Sequence, residues 1–518
     1  MKVINKILLI FFALQTLLSL QTIYTQVNLE WVRRYNGPAN AGDRAFAIAV
    51  DQTGNVYVTG GSQGDLTTIK YNNNGDSLWV RRWNRVPPGN ELSFDIFVDD
   101  SGFVYVSGSS TIKYSPSGNL VWEALNNGGA LGGFVLGDSS NVYTGCTTPG
   151  SDYRTNKFNR TGNLIWTRTY NGPGNDQDRI YDIELDRWGN VIVTGGSWGI
   201  GTQWDYATIK YSPTGDELWL RRYNGPATDV PTDIAYALAV DDSGNVYVTG
   251  WSDGPDENAD CVTIKYNPNG DTAWIRSFSG VFNIGYDIAV DDFYNVYVAG
   301  LASGNYMLIK YTSTGNLQWV KTSPGPGTFS IPEPRLALDS SGYVYLSLLR
   351  RVTSTRFDNL IIKYDGNGNQ IWEAVYSGGL PNESNYTNAI TLGGSGNIYI
   401  AGLHAVTNPD YLTLKYSQAP IGIKPISSEI PNEFKLFQNY PNPFNPTTVI
   451  RYQLVVNSFV TLKIYDLLGR EVATLVNEKL KAGTYEVEFK GENYLSGVYF
   501  YRLQTEKYNE TLKMILIK

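Results

Sequence analysis

Cysteine, histidine and methionine are almost missing from this chain of 518 residues: two, one and three of them respectively. Two cysteines, Cys146 and Cys261, lie in repeats that are not neighbours, so a disulfide framework is excluded as the source of stability and both read as small buried thiols. A single histidine, His404, leaves no histidine metal cluster, and any Ser-His-Asp triad or histidine base would rest on that one residue, which reads as part of a loop. Charged side chains make up only 17%. Past the N-terminus no apolar run approaches the roughly 18 residues of a membrane-spanning helix. No phosphate-binding loop and no zinc-type Cys/His spacing occurs either.

The one long apolar stretch, Ile7–Leu20, follows Lys2 and Lys6. A basic start and a short apolar core read as a secretory signal peptide over 1–25, with cleavage near Thr25–Gln26. The mature chain is acidic, with 39 basic against 49 acidic side chains, and residues 26–434 hold 28 against 41. That sign argues against a nucleic-acid groove or an anionic membrane as partner.

What is abundant is aromatic residues, 13%, and glycine, 53 residues. They follow a period. Lysine precedes tryptophan by nine residues in Lys70/Trp79, Lys113/Trp122, Lys157/Trp166, Lys210/Trp219, Lys265/Trp274, Lys310/Trp319 and Lys363/Trp372, with a glycine five after each lysine. Around each pair stand a small apolar strand, a D-x-[ST]-G-N type turn, a strand such as Asn55-Val-Tyr-Val-Thr-Gly60, and a third such as Thr68-Ile-Lys-Tyr71. Four strands in each unit of about 40–50 residues predict a β-propeller. The second and third strands occur eight times. The last unit, after Lys415, has no tryptophan strand of its own, and Leu29–Tyr35, with Trp31, precedes any complete unit. The expectation is an all-β fold: an eight-bladed β-propeller over 26–416 whose N-terminal strand closes the last blade, setting Trp31 beside Lys415. A hairpin places each lysine opposite its tryptophan, which predicts an ammonium over the indole face.

These units (A-x-A-V-D-x-x-G-N-V-Y-V-T-G, T-I-K-Y, W-x-R-x-Y-N-G-P) resemble the bacterial secreted β-propeller repeat, the SBBP family, over about Leu29–Tyr416. The resemblance weakens in unit three, where Asn156-Lys-Phe158 replaces the T-I-K-Y motif, and in unit seven, where Pro332 and Pro334 precede the first strand. It implies a propeller in an exported protein and no particular activity. The eightfold count is also similar to quinoprotein dehydrogenases, whose adjacent-cysteine disulfide has no counterpart here.

The period stops at a Pro/Ser/Ile-rich stretch, 417–434, read as a linker. Over 435–518 about seven short strand-like segments suggest a small immunoglobulin-like β-sandwich. Phe437-Gln-Asn-Tyr-Pro-Asn-Pro-Phe-Asn-Pro446, Ile464-Tyr-Asp-Leu-Leu-Gly-Arg470, Leu495-Ser-Gly-Val-Tyr-Phe-Tyr-Arg-Leu503 and the tail Leu512–Lys518 occur in order. They resemble the type A C-terminal sorting domain of the type IX secretion system. The resemblance implies Sec export, recognition by the type IX secretion machinery, cleavage by a sortase within 417–433, and a secreted or outer cell-surface location.

Candidate site residues come from aligning the innermost strands. Asp43, Glu91, Asp178 and Asp233 share one position, with Asn283 and Asn385; further in, Asp95, Asp182, Asp287 and Arg335 stand where other units have alanine. These positions are expected at one mouth of the central channel, as a site for a ligand or for Ca²⁺, which oxygen donors suit, or as acceptors for turn amides. No other cofactor is implied. Trp198, Trp204 and Trp251 lie outside the repeated position and read as loop residues able to stack on sugar. Two functions follow: a non-enzymatic binding, adhesion or scaffold module for a glycan or protein partner, or a polysaccharide-acting hydrolase or lyase using the channel carboxylates.

Overall fold

The computed structural model describes residues 27–84, 93–126, 131–137, 140–228, 231–256, 258–325, 333–353, 356–378, 383–394, 396–405, 407–418, 423–427, 430–480, 482–491 and 494–518. The signal peptide expected over 1–25 lies outside them, as does Glu91. The chain divides into two compact units, one of Leu29–Tyr416 and one containing Ser417–Lys518.

In the first unit the described residues form eight four-stranded antiparallel sheets. Unit one is typical, with strands Asp43–Val50, Val56–Ser62, Asp65–Tyr71 and Ser77–Trp83 in sequence order. The eighth sheet differs. Ser384–Leu392, Ile398–Ala405 and Asp410–Gln418 are completed by Val27–Tyr35 from the other end of the chain. Successive first strands are neighbours, and that of unit eight neighbours that of unit one, so they form a closed cycle. One apolar cluster joins Trp31, Tyr399, Ala401 and Tyr411 to Ala45, Ile48, Val58 and Ile69, so the joint between chain ends is packed as a core.

Local chemistry sets the turns. Asp51 accepts the amides of Thr53 and Asn55 and the hydroxyl of Tyr57, while Gly54, at φ 82°, closes on its carbonyl. The same turn recurs at Asp99, Asp186, Asp241, Asp291 and Asp339. The first five residues of each second strand are buried, and Val56–Ser62 is buried throughout, because neighbouring sheets cover both faces.

The Lys–Trp couple is a link between units. The residues are opposite in register, as Lys70 and Trp79 are. The expected ammonium–indole contact within each couple is absent among the described residues, however: Lys70 Nζ lies 5.0 Å from the ring centre of Tyr57 in the second strand. Lys70 Nζ and Trp79 Nε1 both donate, at 3.2 Å, to the carbonyl of Pro116 in the following unit's turn. Lys157 and Trp166 grip Pro213, Lys210 and Trp219 grip Pro268, Lys265 and Trp274 grip Ser313, and Lys310 and Trp319 grip Gly366. A lysine reaches past its own sheet because desolvation beside the indole is offset by a carbonyl acceptor ahead. The tryptophan faces of these units lie against the turn glycine of the next unit, as Trp79 lies against Gly118 and Trp319 against Gly368. A Cβ on Gly215, at φ 86°, would stand 2.9 Å from the Trp166 ring.

The C-terminal unit has two four-stranded sheets over one core that includes Ile450, Leu462, Ile464, Val487, Phe489, Leu503 and Met514. Within the stretch read as a linker, Ile423–Ser427 is a strand paired with Gly483–Lys490. Tyr501 fixes the Phe437-Gln-Asn motif, donating to the Phe437 carbonyl and accepting the Asn439 amide. No described helix is long and apolar enough to cross a membrane.

Candidate functional site

Asp43, Asp178 and Asp233 begin the first strands of units one, four and five and are fully buried. Each accepts the amide of a glycine in the preceding Y-N-G-P turn: Gly37 at 2.7 Å, Gly172 at 2.7 Å and Gly225 at 2.8 Å. Asp178 also accepts from the Trp198 amide. Burial raises Asp178 and pushes Asp233 up to about 6, against the pull of Ser197 or Ser252 and the glycine amide. Across the hairpin the partners are Ser62, Ser197 and Ser252. In unit eight the pair becomes Asn385 and His404, with Nδ1 2.9 Å from Asn385 Oδ1 and Nε2 3.4 Å from Glu383. His404 is therefore not in a loop. It lies one residue before the end of the strand Ile398–Ala405, is 2% exposed, and burial lowers its pKa.

The inner position gathers at the axis. Asp182 accepts from Ile183 and, in the next unit, from Leu238 at 2.7 Å; Asp287 accepts from Ile288 and from Leu336 at 2.9 Å. Asp95 repeats the pattern with Ile96 and Phe134. Alternate units thus clasp the next one at the axis, and the clasped unit carries Gly133, Ala237 or Arg335 there. Arg335 pairs with Glu333 at 2.8 Å and donates to the Asn388 carbonyl. Glu184, which the aligned positions do not include, replaces Ala49 and Ala239 one step further along. Burial pushes Asp95 and Glu184 up to about 7, with Asp182 and Asp95 respectively adding repulsion. Asp182 is raised well above the usual range by burial and by Glu184, and Asp287 is raised by burial. The carboxylates face backbone amides, and no group of three or more His, Cys, Asp or Glu among the described residues is arranged to hold a metal ion.

Seven first strands carry a one-residue β-bulge just before this level. The extra residue is Phe46, Phe94, Tyr181, Tyr236 or Tyr286 in five of them. Phe46 and Phe94 lie 5.5 Å apart, Tyr181 and Tyr236 5.1 Å, Tyr236 and Tyr286 5.4 Å. Trp198, Trp204 and Trp251 are strand residues rather than loop residues. Trp198 and Trp204 face each other across a hairpin at 5.7 Å, and Trp251 in the next unit packs on Phe282 at 5.7 Å.

All of this defines a repeat protein whose four-stranded sheets follow one another about an axis. The pattern described as a beta-propeller repeat matches residues 30–67 and 219–256, and the secretion system C-terminal sorting domain matches 438–518. The chain thus carries beta-propeller repeats followed by a type IX secretion sorting domain. That tail implies interaction with the secretion machinery and supports secretion and cell-surface attachment. No curated protein matches the chain in sequence. Among solved structures it is similar to the Dos1 propeller, at 10% identity and TM-score 0.49, covering 75% of this chain and 94% of that one. It is also similar to PorZ, a surface component of the type IX secretion system of Porphyromonas gingivalis, at 13% identity and TM-score 0.34, covering 92% and 74%. The WD40 domain of SCAP from fission yeast matches at 8% identity and TM-score 0.45, covering 75% and 97%.

Proposed function

We propose that this chain is an eight-bladed propeller joined to an immunoglobulin-like sorting domain, exported by a Sec signal over 1–25 and delivered to the outer surface by type IX secretion. There the propeller acts as a non-enzymatic binding module for a glycan or protein. The observation that carries this reading is the engagement of the axial and channel-mouth carboxylates. Asp43, Asp95, Asp178, Asp182, Asp233 and Asp287 all hold backbone amides, a use that maintains shape rather than turns over substrate. Sortase cleavage falls between the propeller and 435, in the stretch that includes the strand Ile423–Ser427.

The polysaccharide-acting reading draws on one feature, the sharing of the axis by Asp95, Asp182, Glu184 and Asp287 with raised pKa values. The full-length protein, immobilised and exposed to envelope glycans and proteins, separates the two. Saturable binding without release of reducing ends or unsaturated sugars supports the binding module. Release of either product, lost in Glu184→Gln, would replace it with the enzyme.

A further inference from the structure

Features repeated in every blade belong to the fold, so the informative side chains are those only some blades carry. At the bulge, tyrosine occurs in units four, five and six alone: Tyr181, Tyr236 and Tyr286. Units one and two have phenylalanine, unit three Gly132 and unit eight Asn388. The three phenol rings touch in series, are half-buried, and none of their hydroxyls bonds to a described residue. Tyr236 feels both other phenols and Glu333, after burial, as its electrostatic neighbours. Glu333 and its partner Arg335 are themselves 40% and 37% exposed.

Units four to six also carry Trp198, Trp204, Trp251 and Phe282, at the end of the blades where the first strands begin. Trp251 stands where units one, four and six have Gly61, Gly196 and Leu301. Trp204 and Ile234 meet over Gly196, Ile234 is opposite Trp251, and Trp251 contacts Phe282. The Arg179 guanidinium lies 5.4 Å above the Trp204 ring. Ile234 and Tyr236 are two residues apart on one strand, about 7 Å. An inner row of phenols spans three units, and beside it run two indoles, Trp204 and Trp251, continued by Phe282.

We infer that this face of units four to six binds a carbohydrate chain, with one sugar at the axis against Tyr181, Tyr236 and Tyr286 and its neighbours over Trp204 and Trp251. Sugars present apolar C–H faces that aromatic rings cover, and hydroxyls that exchange hydrogen bonds with phenols and with the Glu333–Arg335 pair. A purely apolar partner would leave those polar groups unpaired. A basic peptide would be drawn to the axial carboxylates, yet their oxygens already hold backbone amides. The inference rests on the binding-module reading and names its ligand class and its site.

The test is a printed glycan array probed with the full-length protein, followed by tryptophan-fluorescence titration with the best-bound oligosaccharide. Trp251→Ala is expected to weaken that titration roughly tenfold or more, and Tyr236→Phe, which removes only a hydroxyl, by a smaller measurable factor. Phe293→Ser, 75% exposed in a turn at the opposite end of the blades, is the control and should bind normally. Circular dichroism of each variant establishes that it is folded. If Trp251→Ala fails to fold, Tyr236→Phe and Arg179→Ala decide. An array with no bound glycan, or binding that neither axial nor outer variants alter, overturns the inference. Capture of a protein partner by a glycan-negative propeller overturns it while leaving the binding-module reading intact.

Discussion

Trp31 and Lys415 come from opposite ends of the repeat region and donate to the same atom, the carbonyl oxygen of Asn73, at 3.1 and 2.9 Å. They form the same grip that other units build from a single hairpin. The turn it holds belongs to unit one, so unit eight is tied to unit one by parts of both chain termini. Trp31→Ala is expected to cost about 3–5 kcal/mol, the usual range for emptying a buried aromatic site. It should also speed hydrogen exchange in Asp410–Gln418, whose outer edge Val27–Tyr35 covers. Exchange changes confined to Val27–Tyr35 would contradict a shared joint.

The turn glycines are tested at Gly215. Its positive φ and the 2.9 Å approach of an added methyl to both Trp166 and Arg168 act together. Gly215→Ala should therefore destabilise by more than the ordinary 1 kcal/mol or so of an unfavourable φ. Urea denaturation measures it, and Gly201→Ala, where φ is also positive but nothing lies within 4 Å, supplies the backbone term alone.

Lys210 combines the inter-unit grip with a buried ion pair. Its Nζ is 2.8 Å from Asp186, and both side chains are almost inaccessible. Burial pushes Asp186 upward, but Lys210 and Asn190 overcome it, holding the carboxyl below its usual value. Lys210→Met should cost roughly 3 kcal/mol or more by stranding that charge. The double variant Lys210→Met/Asp186→Asn should recover a part of the loss in thermal melts.

Glu184 has the opposite sign. Its pKa of about 7 in the folded protein, against 4.5 ordinarily, means the folded state keeps a proton that the unfolded chain has released. Stability from this group is thus greatest below pH 4.5 and declines as pH rises through about 7. Asp95, also at about 7, acts in the same direction. Glu184→Gln should raise the melting temperature more at pH 8 than at pH 5. An equal rise at both values would show that Glu184 is ionised throughout.

The repeat is legible because the same turns and staples return in every unit, and the chain-end joint follows from one missing tryptophan strand. Side-chain destinations are less legible. Lysine spacing sets a hairpin register, but the carbonyl that Lys70 reaches lies 46 residues further on. The sequence around His404 reads as loop because a serine occupies its position elsewhere, and nothing local signals that an Asn–His pair replaces an Asp–Ser one. The phenol row is hidden for a geometric reason. Reading Ala235, Tyr236 and Ala237 with period two assigns the tyrosine to the opposite face, whereas the bulge there inserts a residue and turns the phenol toward the axis. Glu184 lies one step past the positions that vary between units in the aligned strands, so the alanine-to-acid pattern does not reach it.

The grips described above all point one way, each holding the turn of the unit ahead. Unit eight differs from the others in that its third and fourth strands come from opposite ends of the repeat region rather than from one hairpin. As the chain is made, Val27–Tyr35 precedes every other propeller strand and waits, unpaired, for Asp410–Gln418, which follows them all. Until Asp410–Gln418 is delivered, the molecule is an open arc with both edges bare, and its assembly finishes in a single late event.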